Sequence, residues 1–151
     1  MKTLEELHKI REEKRRELDL RVNTKADVRE KHILVCHGTG CTSSKSPEIL
    51  ENFRKILKEK KIENVRVIKT GCFGLCAKGP IVIIRPEDTF YANVTPEDCE
   101  EIIESHIVEG KIVERLLCKD IDGTKVKSLD ELNFYKKQKR IALKNCRSYK
   151  S

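Results

Sequence analysis

Four of the seven cysteines fall in two close pairs. Cys36-His37-Gly38-Thr39-Gly40-Cys41 places four residues between its thiols, and Cys72-Phe73-Gly74-Leu75-Cys76 places three. Thirty residues separate the pairs. Thiolates are soft metal ligands, and two pairs of them supply what a 2Fe–2S cluster needs, one pair per iron. Five of the seven glycines, Gly38, Gly40, Gly71, Gly74 and Gly79, lie in or beside the two loops. Backbone that turns sharply there can approach a ligand closely and aim N–H groups at sulfur. Thr39, Thr42, Ser43 and Ser44 add hydroxyl donors, and hydrogen bonds of this kind help set an iron–sulfur potential.

Other chemistries fit the spacing less well. Structural zinc also takes four thiolates, usually from tighter C-x2-C knuckles; a zinc-binding docking module stays open as the alternative. A thioredoxin-type dithiol wants C-x-x-C, which neither pair has, and an odd cysteine count does not close a disulfide framework. A Rieske centre needs two histidines on one iron, and His37 has no second well-placed partner. Gly38-Thr39-Gly40 lacks the third glycine of a dinucleotide loop, since Ser43 stands there. There is no Walker lysine after a glycine-rich loop and no locally supported Ser/His/Asp set. Cys99 reads as a core residue. Cys118 and Cys146 have no cysteine neighbour, and His8, His32 and His106 show no ligand spacing.

The elements that must position the pairs can be read from hydropathy. Ile33-Leu34-Val35 predicts a short buried strand, and Ile49, Leu50, Phe53, Ile56 and Leu57 predict one helical face. Ser46 suits that helix's cap, Pro47 its first turn and Glu48 its positive end. Val65–Lys69, Ile81–Ile84 and Thr89–Ala92 predict three further strands, the last two joined by a turn at Pro86-Glu87-Asp88. Thr95 and Pro96 open a helix whose apolar face holds Cys99, Ile102, Ile103, His106 and Ile107. The order is βαβ followed by ββα, an α/β thioredoxin-like arrangement. Its first two strands are parallel, so Cys36 and Cys72, each just after one of them, emerge side by side at one sheet edge. After Gly110 the signal weakens: Ile112–Leu117 reads as a strand or packing arm, and Asp122-Gly123 as a turn. Residues 1–30 form a charged helical extension and link with a short Leu4, Leu7, Ile10 stripe and a Glu12–Arg16 pair. Residues 31–118 form the folded body, and 119–151 a basic tail.

The 151 residues are 38% hydrophobic, 38% charged and 5% aromatic, enough for one small core. No apolar run is long enough to span a bilayer, and the N-terminus has no signal-peptide core; a cytoplasmic location is expected. The net charge of +7 divides into +2 over residues 1–32, −1 over 33–118 and +6 over 119–151. A near-neutral body with a basic tail is not the basic face of a nucleic-acid binder.

With Cys36-x4-Cys41 and Thr70-Gly71-Cys72-Phe73-Gly74-Leu75-Cys76 in place, the chain resembles the thioredoxin-like 2Fe–2S ferredoxin domain from about Lys31 to Leu117. It looks most like the version fused to the N-terminus of the NADH-binding flavoprotein subunit of multimeric iron hydrogenases, NADP-reducing and electron-bifurcating types included. It is also similar to the small iron–sulfur subunit of respiratory complex I. The resemblance implies a single 2Fe–2S cluster on Cys36, Cys41, Cys72 and Cys76. It also implies one-electron transfer, with a flavin- and NADH-binding domain or subunit and other iron–sulfur subunits as partners and a homo-oligomer as an option. Lys139 to Cys146 resembles the entrance to that flavin domain. The 151 residues hold no flavin or NAD site of their own on this reading, and no catalytic group beyond the cluster.

Overall fold

The computed structural model describes residues 3–22, 30–139 and 141, with side chains placed for 3–14 and from 30 onward. Helix α1 (Leu4–Val22) starts at a reciprocal cap. The Glu6 N–H donates to Thr3 Oγ1 at 3.2 Å, and the Thr3 N–H donates to Glu6 Oε2 at 2.8 Å, satisfying two of the amides that a helix start leaves unpaired. Leu4 and Leu7 are exposed. The Glu12–Arg16 pair expected from the sequence lies outside the described side chains; Glu12 meets Arg11 at 3.2 Å.

The body is built on strands β1 (Lys31–Cys36), β2 (Val65–Thr70), β3 (Val82–Arg85) and β4 (Thr89–Tyr91), ordered β2-β1-β3-β4 across the sheet. β1 and β2 are parallel, with Cys36 opposite Thr70. β3 runs antiparallel to both β1 and β4. Helix α2 (Thr39–Ser43) and helix α3 (Ser46–Glu59) connect the parallel pair. The first glycine-rich loop, between Cys36 and α3, is therefore partly helical, and α2 carries Cys41. Helix α4 begins at Asp98–Glu101 and widens into a π-helix over Ile102–Val108.

The unbroken apolar run of β1 is explained by burial on both sides, because successive side chains point to opposite faces. Ile33 and Val35 join Ile49, Leu50, Phe53 and Leu57 of α3 and Cys99, Ile102 and Ile103 of α4 in one core. Leu34 and Cys36 face the other way, into a second core with Ile81, Ile83 and Phe90. Val126, Leu129 and Leu132 complete that second core, so the folded body continues past residue 118. The segment from Ile112 is a packing arm: a 3-10 turn at Glu114–Leu116 and a single bridge from Leu117 to Tyr91. A small hairpin of β5 (Cys118–Lys119) and β6 (Lys125–Val126) follows, with Gly123 at φ +83° in the turn expected at Asp122-Gly123. A 3-10 turn at Leu129–Glu131 and helix α5 (Asn133–Lys136) then lie over the second face. Hydrogen bonds from the Phe90 N–H to Lys127 O (2.6 Å) and from the Ala92 N–H to Leu116 O (2.9 Å) close the β4 edge, which would otherwise offer unpaired backbone to another chain.

Arg115 ties the arm to the start of α4 through Asp98 Oδ1 (2.5 Å) and through Glu101. Burial works against the charge on Asp98, but the Thr95 N–H and the Arg115 guanidinium prevail and hold its carboxyl below the ordinary range.

Candidate metal centre

The two strand ends deliver the thiols together. Cys36 is the last residue of β1, and the next amide, His37 N–H, bonds Thr70 O at the end of β2 (3.0 Å). Two residues beyond Thr70 comes Cys72. Cys36 and Cys41 are buried, whereas Cys72 and Cys76 are exposed. Cys36 and Cys41 share the second core, and the Sγ atoms of Cys72 and Cys76 are 3.8 Å apart. Among the described residues, no three His, Cys, Asp or Glu side chains gather around one ion; the thiols stand as two adjoining pairs.

The glycines interleave these pairs. A Cβ on Gly38 would stand 2.9 Å from Cys72 Cβ and 3.2 Å from its Sγ. One on Gly40 would meet Cys76 Sγ at 3.7 Å, and one on Gly79 would meet Cys41 Sγ at 2.7 Å. The first loop's glycines thus face the second loop's thiols, and Gly79 faces back to the first. A side chain at Gly38 or Gly79 would occupy the space a cluster and its ligands need. Four thiols with this cradle fit a 2Fe–2S group.

Electrostatics point the same way. Burial, then the neighbouring Cys36, pushes the Cys41 thiol up to about 12. Contact with Cys72 pushes the Cys76 thiol up. Crowded thiols resist becoming thiolates together unless a cation neutralises them, and a bound metal deprotonates them outright. A backbone donor is already aimed at sulfur: the Gly74 N–H at Cys72 Sγ (3.3 Å).

Ser46 departs from its expected role. Lys45 occupies the cap of α3 at φ 68°, and Ser46, fully buried, donates from Oγ to Cys36 O at 2.5 Å. Its hydroxyl fixes the backbone of a thiol-bearing residue instead of closing a helix. Ser43, one of the expected donors to sulfur, turns its hydroxyl to Thr39 O at 3.1 Å. Cys99 is buried, with its thiol also pushed up to about 12 by burial, and contacts Ile49 O at 3.7 Å. Cys118 is buried in the second core, and Cys146 lies outside the described residues. His106 is buried against Tyr91, with Nδ1 2.6 Å from the phenol oxygen.

A βαβ-ββα fold with its sheet in the order β2-β1-β3-β4 is thioredoxin-like, and here it carries paired cysteines at the ends of its parallel strands. The sequence profile of the thioredoxin-like [2Fe-2S] ferredoxin matches residues 22–106, and the chain belongs to that family. The chain is 45% identical over 94 residues to a 2Fe–2S ferredoxin of Clostridium pasteurianum, covering 56% of this chain and 92% of that protein. Identity to a 2Fe–2S ferredoxin of Aquifex aeolicus is 37% over 97 residues, covering 58% and 87%. The solved structure of a thioredoxin-like [2Fe-2S] ferredoxin from Aquifex aeolicus superposes with a TM-score of 0.54 at 32% identity, covering 58% of this chain and 88% of that one. Among the described residues, no helix is long and apolar enough to cross a membrane.

Proposed function

We propose that the chain is a one-electron carrier in which Cys36, Cys41, Cys72 and Cys76 hold a single 2Fe–2S cluster. The observation that carries this reading is the meeting of two thiol pairs at the ends of adjacent parallel strands, one pair buried and the other exposed. The bound cluster supplies the one-electron chemistry. The protein's residues ligate, orient and shield. Cys36 and Cys41 anchor the inner side within the second core, and Cys72 and Cys76 bring the outer side to the surface. Ser46 fixes the Cys36 backbone, and the Gly74 amide donates to the Cys72 sulfur. Structural zinc would draw all four sulfurs onto one ion, an arrangement less suited to two adjoining pairs.

On the same reading the partners are a flavin- and NADH-binding domain or subunit and further iron–sulfur subunits of a cytoplasmic hydrogenase or dehydrogenase complex. Residues 1–30 are an extension and 31–118 the cluster module. Residues 119–151 are a connector toward the flavin domain, packed in its first half onto the module. The supports are the charged α1, the family match over 22–106 and the basic balance of 119–151.

The test is anaerobic purification with iron and acid-labile sulfide analysis, visible spectroscopy and electron paramagnetic resonance after reduction. Two irons, two sulfides and a one-electron paramagnetic signal per chain are expected. Stoichiometric zinc without sulfide after reconstitution would overturn the reading.

A further inference from the structure

We propose that Tyr135 is a positioning residue for the metal centre, acting through a single peptide unit; this rests on the cluster reading above. The Tyr135 hydroxyl donates to the carbonyl oxygen of Phe73. The N–H of the same Phe73–Gly74 peptide donates to Cys72 Sγ at 3.3 Å. One planar group is therefore held at both ends, by a phenol on its oxygen and a sulfur on its hydrogen. Peptide planarity transmits the constraint, because oxygen and hydrogen cannot turn independently. Gly74, at φ +82°, supplies the left-handed backbone that this orientation needs, a conformation costly for a residue with a Cβ.

Polarisation adds to position. A donor on a peptide oxygen makes the N–H of that peptide a better donor, as in any chain of hydrogen bonds. A stronger N–H···S bond favours the more negative, reduced state of a cluster and so raises its potential.

The phenol is well seated for this task. Tyr135 follows Leu132, which is buried in the second core, and its N–H bonds Leu132 O at 2.9 Å. The Asn133 N–H, at the start of α5, bonds Asp120 Oδ2 at 3.0 Å. Phe73, Leu75 and Tyr135 pack on the same core. All of α5 lies beyond residue 106, where the family profile ends, so the segment reaching back to the cysteine loop is an addition to the matched region.

Tyr135→Phe keeps the ring and removes the donor. The full chain carrying it should still bind two irons and two sulfides. Its midpoint potential should fall by about two- to three-fold in the oxidised/reduced equilibrium, ~18–28 mV at 59 mV per tenfold for one electron. The Gly74 amide should exchange its hydrogen faster, in the cluster-free protein as well. Phe73→Leu, which retains the carbonyl, should shift the potential less. Site-specific 3-fluorotyrosine at position 135 preserves shape while strengthening the donor, and should raise the potential; it keeps the test available if Tyr135→Phe does not fold. A full cluster with unchanged potential and unchanged Gly74 exchange in Tyr135→Phe would overturn the role of Tyr135, as would a fluorotyrosine shift downward. Absence of iron and sulfide from the wild type as well would instead overturn the cluster reading and the proposal with it.

Discussion

At the scale of single residues, the glycines around the cysteines separate into those that leave room and those that do not. Gly71 has nothing within 4 Å of an added Cβ, whereas on Gly79 that Cβ would lie 2.7 Å from the buried Cys41 sulfur. Gly71→Ala should therefore retain full iron and sulfide, and Gly79→Ala should lose much of both, measured by metal and sulfide analysis after identical reconstitution. Equal loading of the two variants would show that the close approach has no consequence for the site. The cysteines should divide similarly. Alanine at Cys36, Cys41, Cys72 or Cys76 removes a thiolate and should lose or badly destabilise the cluster. Cys99→Ala, in the core between α3 and α4, should keep it and cost about 1 kcal/mol in denaturant melts. The sequence exposed the cysteine pairs and their glycines because residue type and spacing are local. It could not expose the use of Ser46, since a serine before Pro47 caps helices in general and only the fold brings its hydroxyl to Cys36 O.

Elements were legible to the extent that their burial left a periodic trace. The helical face of Ile49, Leu50, Phe53 and Leu57 and the strands β1 to β4 could be read in advance because a continuous core faces them. Residues 119–136 could not, because two-residue strands and single-turn helices carry no period, and Val126, Leu129 and Leu132 are isolated among charged residues. The contact between α4 and the packing arm was equally hidden, being made by polar atoms. The Val113 N–H donates to Tyr91 Oη at 3.1 Å, and the same oxygen lies 2.6 Å from His106 Nδ1. Burial holds the His106 pKa below its ordinary 6.5, against the pull of Glu87 and with the help of Lys31. Below pH 6.5 the unfolded chain then binds a proton that the native chain refuses. Stability should fall with pH from there down to the folded-state pKa, and level off beneath it. Urea melts of wild type and His106→Gln across this range should show a smaller pH slope in the variant; identical slopes would remove His106 from the account. Tyr91→Phe should cost about 1–3 kcal/mol at neutral pH, since it strips the partners of a buried amide and a buried imidazole.

The molecule as a whole closes a sheet on both faces and leaves one edge of the thiol site open. Truncation after Leu117 would remove Val126, Leu129 and Leu132 and bare Leu34, Ile83 and Phe90. At ~25 cal/mol per Å² of apolar surface this is a substantial loss, to be seen as a lower melting temperature and greater dye binding. Exposure of Cys72 and Cys76 beside an added basic segment also sets how partners should approach. Net charge is −1 over residues 33–118 and +2 over 119–139, the stretch whose Tyr135 bonds the exposed loop at Phe73 O, so an acidic redox partner is attracted toward that side of the module. Such attraction acts on the encounter rate and is screened over about 10 Å at 0.1 M salt. The second-order rate of electron exchange with an anionic mediator should therefore fall as ionic strength rises. Exchange with a neutral mediator of similar potential should change little. Replacing Lys136 and Lys137 by Gln should flatten the first dependence without altering iron content. A salt response equal for both mediators, or unchanged in the double variant, would place the steering charge elsewhere on the molecule.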